Sequence, residues 1–183
     1  MKKILLLWYM QDDNFGDVLI SRTIKDYFEP YDCVMEDHEV GDYWRNIVKH
    51  ANECDFLLFA GGGIIERGVP NVIINWDKVA EELRIPYGVI GLGMGEFNHD
   101  GYSEKFRAWV DNSEFFFVRD QYTQEKMNDY SHSKKVIFSA DCVFANKNLK
   151  ADSNKVQEKI AINVRDLPYE DLTGALDWAT VNT

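Results

Sequence analysis

The segment Phe56–Ile65, which reads FLLFAGGGII, combines an apolar run with three consecutive glycines. Its first five residues are all apolar, as is typical of a short strand buried on both faces in a parallel sheet. The three glycines that follow, Gly61, Gly62 and Gly63, predict a turn where this strand ends. Because glycine has no Cβ, a ligand can approach the backbone of such a turn, although close packing of the strand against a helix would also favour glycine.

Similar apolar runs recur along the chain and alternate with segments of helical period. The further runs are Ile4–Trp8, Cys33–Met35, Tyr87–Ile90, Phe115–Val118, Val136–Phe138 and Ile160–Val164. Between the first two, Ile20, Ile24, Tyr27 and Phe28 fall on one face of a helix. Strands separated by amphipathic helices predict a parallel sheet that is covered on both sides. We therefore predict an α/β, Rossmann-like fold with helices on both faces of a parallel sheet.

The polar stretch 146–157 is the one soft boundary in this order. It predicts a Rossmann-like domain over residues 1–157, followed over 158–183 by the first strand and helix of an incomplete second domain. One strand and one helix cannot bury both of their apolar faces alone. They either dock on the preceding sheet or belong to a second domain, and association with a second copy in a homo-oligomer would also cover them.

Composition excludes several classes of protein. The net charge of -11 argues against a nucleic-acid partner, because phosphate backbones require a basic face. No apolar run approaches the roughly 18 residues of a membrane span, and no cleavable leader follows Lys2 and Lys3, so we predict a cytoplasmic protein. The three cysteines and four histidines lack metal-ligand spacing, and we predict neither a metal nor a cofactor.

Ligands of open α/β sheets bind beyond the carboxyl ends of the strands, so the residues that follow each apolar run are the candidates for a site. Asn14, Gly16 and Asp17 follow the first strand, where a helix is predicted to begin. With Asn14 as N-cap, the backbone N–H groups of the first turn can bind an anion or a sugar hydroxyl. Asp17 is a candidate general base for a hydroxyl, and the alternative is a capped helix with a surface aspartate.

A second glycine-rich stretch, Gly91-Leu92-Gly93-Met94-Gly95, follows the next strand along the chain. Two such stretches at one edge of a sheet favour a binding site over packing alone. Neither one is a nucleotide motif, since the first lacks the Walker lysine and the second lacks the third glycine of the dinucleotide fingerprint. The candidate substrate-binding glycines are Gly16, Gly61, Gly62, Gly63, Gly91, Gly93 and Gly95.

Arg119 is the strongest single candidate for binding a carboxylate or a phosphate. It follows the predicted fifth strand, and a guanidinium donates two parallel hydrogen bonds to such groups. Asp120 and Asp141 add carboxylates at the same edge, where either one can act as a general base. The alternative is structural, with Arg119 in an ion pair with Asp120 or Asp141 and the carboxylates capping helices.

Six short motifs, taken in order, resemble the polysaccharide pyruvyl transferase family. They are Asn14-Phe15-Gly16-Asp17, Gly61-Gly62-Gly63, Gly91-Leu92-Gly93-Met94-Gly95, Val118-Arg119-Asp120 with Thr123, Ser139-Ala140-Asp141 and Ile162-Asn163-Val164-Arg165. Each motif is weak alone, but their order and their spread over most of the chain make the match fairly specific.

The resemblance implies a fold like the N-terminal half of a two-domain, GT-B-like transferase. It implies transfer of a pyruvyl group from phosphoenolpyruvate to sugar hydroxyls of a cell-surface glycan, with the first half holding the acceptor sugar. Catalytic roles then fall to Asp17, Arg119 and Asp120. The substrate-binding residues are the glycines above together with Asn14, Asp141, Asn163 and Arg165.

This chain departs from the family pattern in its second half, of which only the first strand and helix are recognisable. The family carries a histidine and further arginines for the donor there, and no histidine of this chain takes that place. Two other functions therefore stay open. A non-catalytic sugar-binding module is one, and a nucleotide-sugar glycosyltransferase of the same architecture is the other, since fold alone does not separate these chemistries.

Overall fold

The computed structural model describes residues 2–8, 15–37, 43–65, 76–95 and 103–146. The strands are β1 Lys3–Trp8, β2 Asp32–Asp37, β3 Phe56–Ile65, β4 Tyr87–Met94, β5 Phe116–Val118 and β6 Val136–Phe138. The helices are α1 Phe15–Tyr27, α2 Tyr43–Ala51, α3 Trp76–Glu82, α4 Ser103–Asn112 and α5 Gln121–Ser131, followed by a 3-10 helix, Cys142–Ala145. The predicted strand at 160–164, the second domain and its association with another copy lie outside the described residues and stay predictions.

The strands form one sheet in the order β2-β1-β3-β4-β5-β6. All five neighbouring pairs run parallel. The chain leaves β1 for β2 on one side and returns to β3 on the other, so the winding direction reverses between β1 and β3. Such a reversal leaves a crevice at the carboxyl ends of the strands, which is where ligands of open α/β sheets bind. The predicted Rossmann-like α/β class is confirmed.

Successive side chains of the central strands are buried on opposite faces of the sheet. Leu5 and Leu7 join a large cluster that contains apolar residues of α2, α3, α4 and α5. Ile4 and Leu6 join a smaller cluster with Ile20 of α1. Because a strand buried on both faces has no polar side to alternate with, it reads as a continuous apolar run. The prediction of helices on both faces is confirmed.

Helix α3 was not predicted from the sequence. Its residues Trp76, Val79 and Ala80, with Leu83 directly after it, stand at i, i+3, i+4 and i+7, which is the spacing of one helix face. Val79 is fully enclosed in the large core cluster, and Leu83 packs against that cluster. The pattern for this helix was therefore present in the sequence.

The prediction that Gly61, Gly62 and Gly63 form a turn is wrong. Strand β3 continues through them to Ile65, and β4 likewise continues through Gly91 to Met94. The pairing of β3 with β4 shifts register between Gly62 and Ile65, and the pairing of β4 with β5 shifts between Val89 and Leu92. Positive φ angles of 90° at Gly62 and 71° at Gly91 accompany these irregularities, and Gly61, next to Gly62, has a φ of 64°. Glycine is therefore required by bulged strands rather than by a turn.

Packing gives Gly61 and Gly91 a second reason to lack a side chain. A Cβ on Gly61 would overlap the Cγ2 of Ile20 in α1. A Cβ on Gly91 would overlap the Sγ of Cys142 in the 3-10 helix. Close packing is therefore a second reason for glycine at both positions. The absence of side chains there lets α1 and the 3-10 helix pack directly on the central strands.

We expect Gly61→Ala to lower the free energy of unfolding by about 3 kcal/mol. The left-handed backbone costs an L-residue about 1–2 kcal/mol, and overpacking against Ile20 adds about 1–3 kcal/mol. Urea unfolding followed by circular dichroism measures the loss.

A double-mutant cycle with Ile20→Ala separates the two contributions. Removing the Ile20 side chain relieves the overlap but not the backbone strain, so the double variant should lose less than the sum of the single losses. Additive losses, or a Gly61→Ala loss below about 0.5 kcal/mol, would contradict this account of Gly61.

Candidate functional site

Register across the sheet brings several of the predicted residues to one edge. Gly62 pairs with Leu92, Leu92 with Val118, and Val118 with Phe138. Gly93, Arg119 and Ser139 directly follow Leu92, Val118 and Phe138 along the chain. The backbone N–H of Arg119 donates to the carbonyl of Leu92 at 2.9 Å, and that of Ser139 to the carbonyl of Val118 at 2.9 Å. The carboxyl ends of β4, β5 and β6 thus lie side by side.

Arg119 lies directly over Gly93. A Cβ on Gly93 would overlap the Nε and Cζ atoms of the Arg119 side chain, so the guanidinium rests in the space that glycine leaves open. The side chain of Arg119 is 32% exposed, and its charge therefore reaches water at the edge of the sheet. This contact joins the second glycine stretch to the predicted anion-binding residue.

Asp120 has two partners, one for each carboxylate oxygen. Its Oδ1 accepts a hydrogen bond from the backbone N–H of Thr123 at 2.7 Å and so caps the start of α5. Its Oδ2 lies 3.5 Å from the Nε of Arg119. The structural alternative for this pair, a helix cap combined with an ion pair, is therefore present in the fold.

Thr123 fastens α5 to the end of β4, a role that the sequence did not suggest. Its side chain is fully buried, and its hydroxyl oxygen accepts a hydrogen bond from the backbone N–H of Met94 at 2.9 Å. The sequence signal is a threonine three residues after a capping aspartate, but its partner is 29 residues away. Spacing along the chain therefore predicts the cap and not the link to the sheet.

Asp141 caps the 3-10 helix, since its Oδ1 accepts a hydrogen bond from the backbone N–H of Val143 at 3.0 Å. Burial raises the pKa of the adjacent Cys142 thiol to about 11, and the Asp141 carboxylate adds to this effect. Asn146 donates to the hydroxyl oxygen of Thr23 in α1 at 2.8 Å. These contacts hold the segment after β6 against α1 and the bulge at Gly91.

Asp17 and Gly16 lie in the first turn of α1, whose Asp17 carbonyl accepts a hydrogen bond from the Ser21 hydroxyl. This helix follows β1, whereas Arg119 follows β5, with β3 and β4 in between. Three strand spacings amount to roughly 14 Å. The predicted catalytic residues therefore divide between two sides of the edge, with Asp17 on one side and Arg119 and Asp120 on the other.

Several predicted residues lie outside the described part of the chain. Asn14, Asn163 and Arg165 belong to this group, so their assignment to substrate binding stays a prediction. Within residues 2–8, 15–37, 43–65, 76–95 and 103–146, no three His, Cys, Asp or Glu side chains form a group that could hold a metal ion. None of the helices in these ranges is long and apolar enough to cross a membrane.

A parallel sheet with a guanidinium and glycine backbone at its carboxyl edge is typical of Rossmann-like domains that bind ligands. Comparison with models of protein families identifies one family within this class of folds. The model described as polysaccharide pyruvyl transferase matches residues 14–179, which is most of the chain. The chain therefore belongs to the polysaccharide pyruvyl transferase family, and the resemblance predicted from its motifs is confirmed.

Two solved structures are similar to this chain. A functionally uncharacterised protein from Klebsiella pneumoniae is 20% identical with a TM-score of 0.52, and the match covers 84% of this chain and 55% of that one. An alpha-glucosyltransferase in complex with UDP and DNA is 12% identical with a TM-score of 0.49, and the match covers 75% of this chain and 42% of that one. No curated protein matches. The first likeness concerns the fold alone, and the chain spans about half the length of that protein.

We expect Cys142 to make the fold less stable in alkaline solution. The pKa of its thiol is about 11 in the folded chain, compared with an ordinary value of 9.0. The unfolded chain therefore releases this proton first as the pH rises. The stabilising contribution is complete below pH 9 and is lost as the pH approaches 11. At pH 10 the loss in the free energy of unfolding is about 1.4 kcal/mol.

Urea unfolding at pH 8 and pH 10 measures this loss, with Cys142→Ala as the control for all other titrating groups. The wild-type protein should lose more free energy of unfolding between the two pH values than the variant does. Equal losses would show that the Cys142 thiol does not couple to folding.

Proposed function

We propose that this chain is the acceptor-side half of a pyruvyl transferase that moves a pyruvyl group from phosphoenolpyruvate to sugar hydroxyls of a cell-surface glycan. Membership of the family supports the reaction class. The observation that carries the proposal is the Arg119 guanidinium resting on Gly93 at the carboxyl edge of the sheet. We further propose a cytoplasmic location and no cofactor besides the donor substrate.

Arg119 supplies the local positive charge that such a donor requires. Phosphoenolpyruvate carries a carboxylate and a phosphate, and a guanidinium can donate two parallel hydrogen bonds to either group. The protein as a whole carries a net charge of -11, so its overall field repels anions. Binding therefore depends on contacts at short range, where a partly exposed arginine outweighs the more distant charges.

In the proposed reaction, an acid protonates the methylene carbon of the donor, and a sugar hydroxyl attacks the neighbouring carbon. A new carbon–oxygen bond forms to the sugar, and a second attack or elimination releases inorganic phosphate. We assign to Asp17 the role of general base that takes the hydroxyl proton, and to Arg119 the neutralisation of the donor. We assign the proton donor to the second half of such enzymes, where the family carries a histidine.

The complete protein should bind phosphoenolpyruvate saturably and release inorganic phosphate only when an acceptor is present. A panel of sugars and sugar nucleotides, followed by a colorimetric phosphate assay and calorimetry with the donor, tests this. Absence of both donor binding and phosphate release would sink the proposal. Sugar binding without turnover would instead support a binding module, and thermal stabilisation by nucleotide sugars alone would support a glycosyltransferase.

Arg119→Ala should weaken donor binding about 10- to 100-fold, which corresponds to the loss of charge-assisted hydrogen bonds. Its stability loss should stay below about 1 kcal/mol, because the pair with Asp120 is partly exposed. Calorimetric titration with phosphoenolpyruvate and urea unfolding give the two quantities.

Arg107→Ala is the matched control. The Nε of Arg107 also lies 3.5 Å from an aspartate Oδ2, that of Asp111 on α4, and both side chains are exposed. This variant should leave donor affinity unchanged. A large loss of stability in Arg119→Ala with unchanged affinity would assign Arg119 a purely structural role.

A further inference from the structure

We propose that Asp120 is a positioning residue that holds the Arg119 guanidinium on Gly93, and that it takes no part in proton transfer. The role in donor binding rests on the proposed function, whereas the positioning itself rests on the contacts of Asp120. This assignment differs from the catalytic role predicted for Asp120 from the sequence.

The two oxygens of Asp120 are directed at two different groups. Oδ1 accepts from the Thr123 N–H at 2.7 Å, which sets the orientation of the carboxylate relative to α5. Oδ2 then faces the Nε of Arg119 at 3.5 Å. Because Oδ1 is fixed by the cap, Oδ2 is presented in a defined direction, and the guanidinium is attracted toward it.

Gly93 and Thr123 complete this arrangement from the side of β4. The missing Cβ of Gly93 leaves the space that the guanidinium occupies. The Thr123 hydroxyl accepts from the N–H of Met94, the residue after Gly93, at 2.9 Å. This bond fastens the capped start of α5 to the end of β4 next to the arginine, and Asp120 caps the same helix start.

A proton donor or acceptor must have an oxygen within hydrogen-bond reach of the reacting atom. In Asp120 one oxygen accepts the hydrogen bond of the helix cap. The other oxygen faces a guanidinium, which does not give up a proton at working pH. Asp17 differs, since it lies in the first turn of α1 on the opposite side of the edge. The geometry thus separates Asp120, which orients an arginine, from Asp17, which lies about three strand spacings away.

Asp120→Asn removes the charge that orients the Arg119 guanidinium but keeps a residue that can cap α5. An asparagine can still accept from the Thr123 N–H and is a good N-cap, but its amide nitrogen then faces the Nε–H of Arg119, donor against donor. Asp120→Ser provides a second capping residue without charge, in case the first variant folds poorly. Asp111→Asn is the matched control, because it breaks an arginine–aspartate pair of the same 3.5 Å separation on α4.

The first measurement is the Nε–Hε resonance of Arg119 in the full chain, observed by NMR and assigned by its disappearance in Arg119→Lys. We expect this resonance to shift and its solvent exchange to accelerate in Asp120→Asn and Asp120→Ser, and to stay unchanged in Asp111→Asn. An unmoved resonance in both Asp120 variants overturns the positioning role. This test needs no turnover, so it decides the inference even when phosphate release is absent and the proposed function fails.

The second measurement is the pH dependence of acceptor-dependent phosphate release from phosphoenolpyruvate. General acid–base groups contribute about 10²- to 10⁴-fold to a rate. For a positioning residue we expect Asp120→Asn to lower kcat less than tenfold, to raise KM for the donor, and to keep the shape of the pH profile. A fall of 100-fold or more with the loss of one limb of that profile overturns the inference and makes Asp120 catalytic.

Discussion

Three parts of the protein contact the central strands at places where the backbone carries no Cβ. Helix α1 reaches β3 at Gly61, the 3-10 helix reaches β4 at Gly91, and the Arg119 guanidinium reaches β4 at Gly93. All three contacts lie in the carboxyl-terminal halves of β3 and β4. The close approach that glycine permits is therefore the constraint on which both the packing and the site depend.

At this edge of the sheet, the positions of the charged groups matter more than the stability that any one ion pair contributes. A partly exposed ion pair such as that of Arg119 and Asp120 contributes little to stability, because water screens it and the side chains lose entropy. Its value lies in orientation, since the cap formed by Asp120 leaves one oxygen facing the arginine. In a chain with a net charge of -11, the anion binding that we propose depends on such local placement of positive charge.

Fold and family answer different questions about this protein. The strand order and the crevice at β1 and β3 are shared by many unrelated enzymes and do not specify a reaction. The match over residues 14–179 shows the family to which the chain belongs, and pyruvyl transfer is the reaction class that we propose on this basis. The contacts of Arg119, Gly93 and Asp120 then give that class a candidate location within the described residues.

Strands buried on both faces read as apolar runs and α1 carries a clear helical period, so the parallel sheet could be predicted from the sequence. The position of Arg119 directly after a strand could be predicted in the same way. That Gly61 and Gly91 belong to bulged strands became visible only in the tertiary structure. Only it revealed the bond from Met94 to Thr123 and the division of Asp120 between a cap and an arginine. Strand register and contacts between distant segments produce these features, and neither is encoded in the local period of the residues.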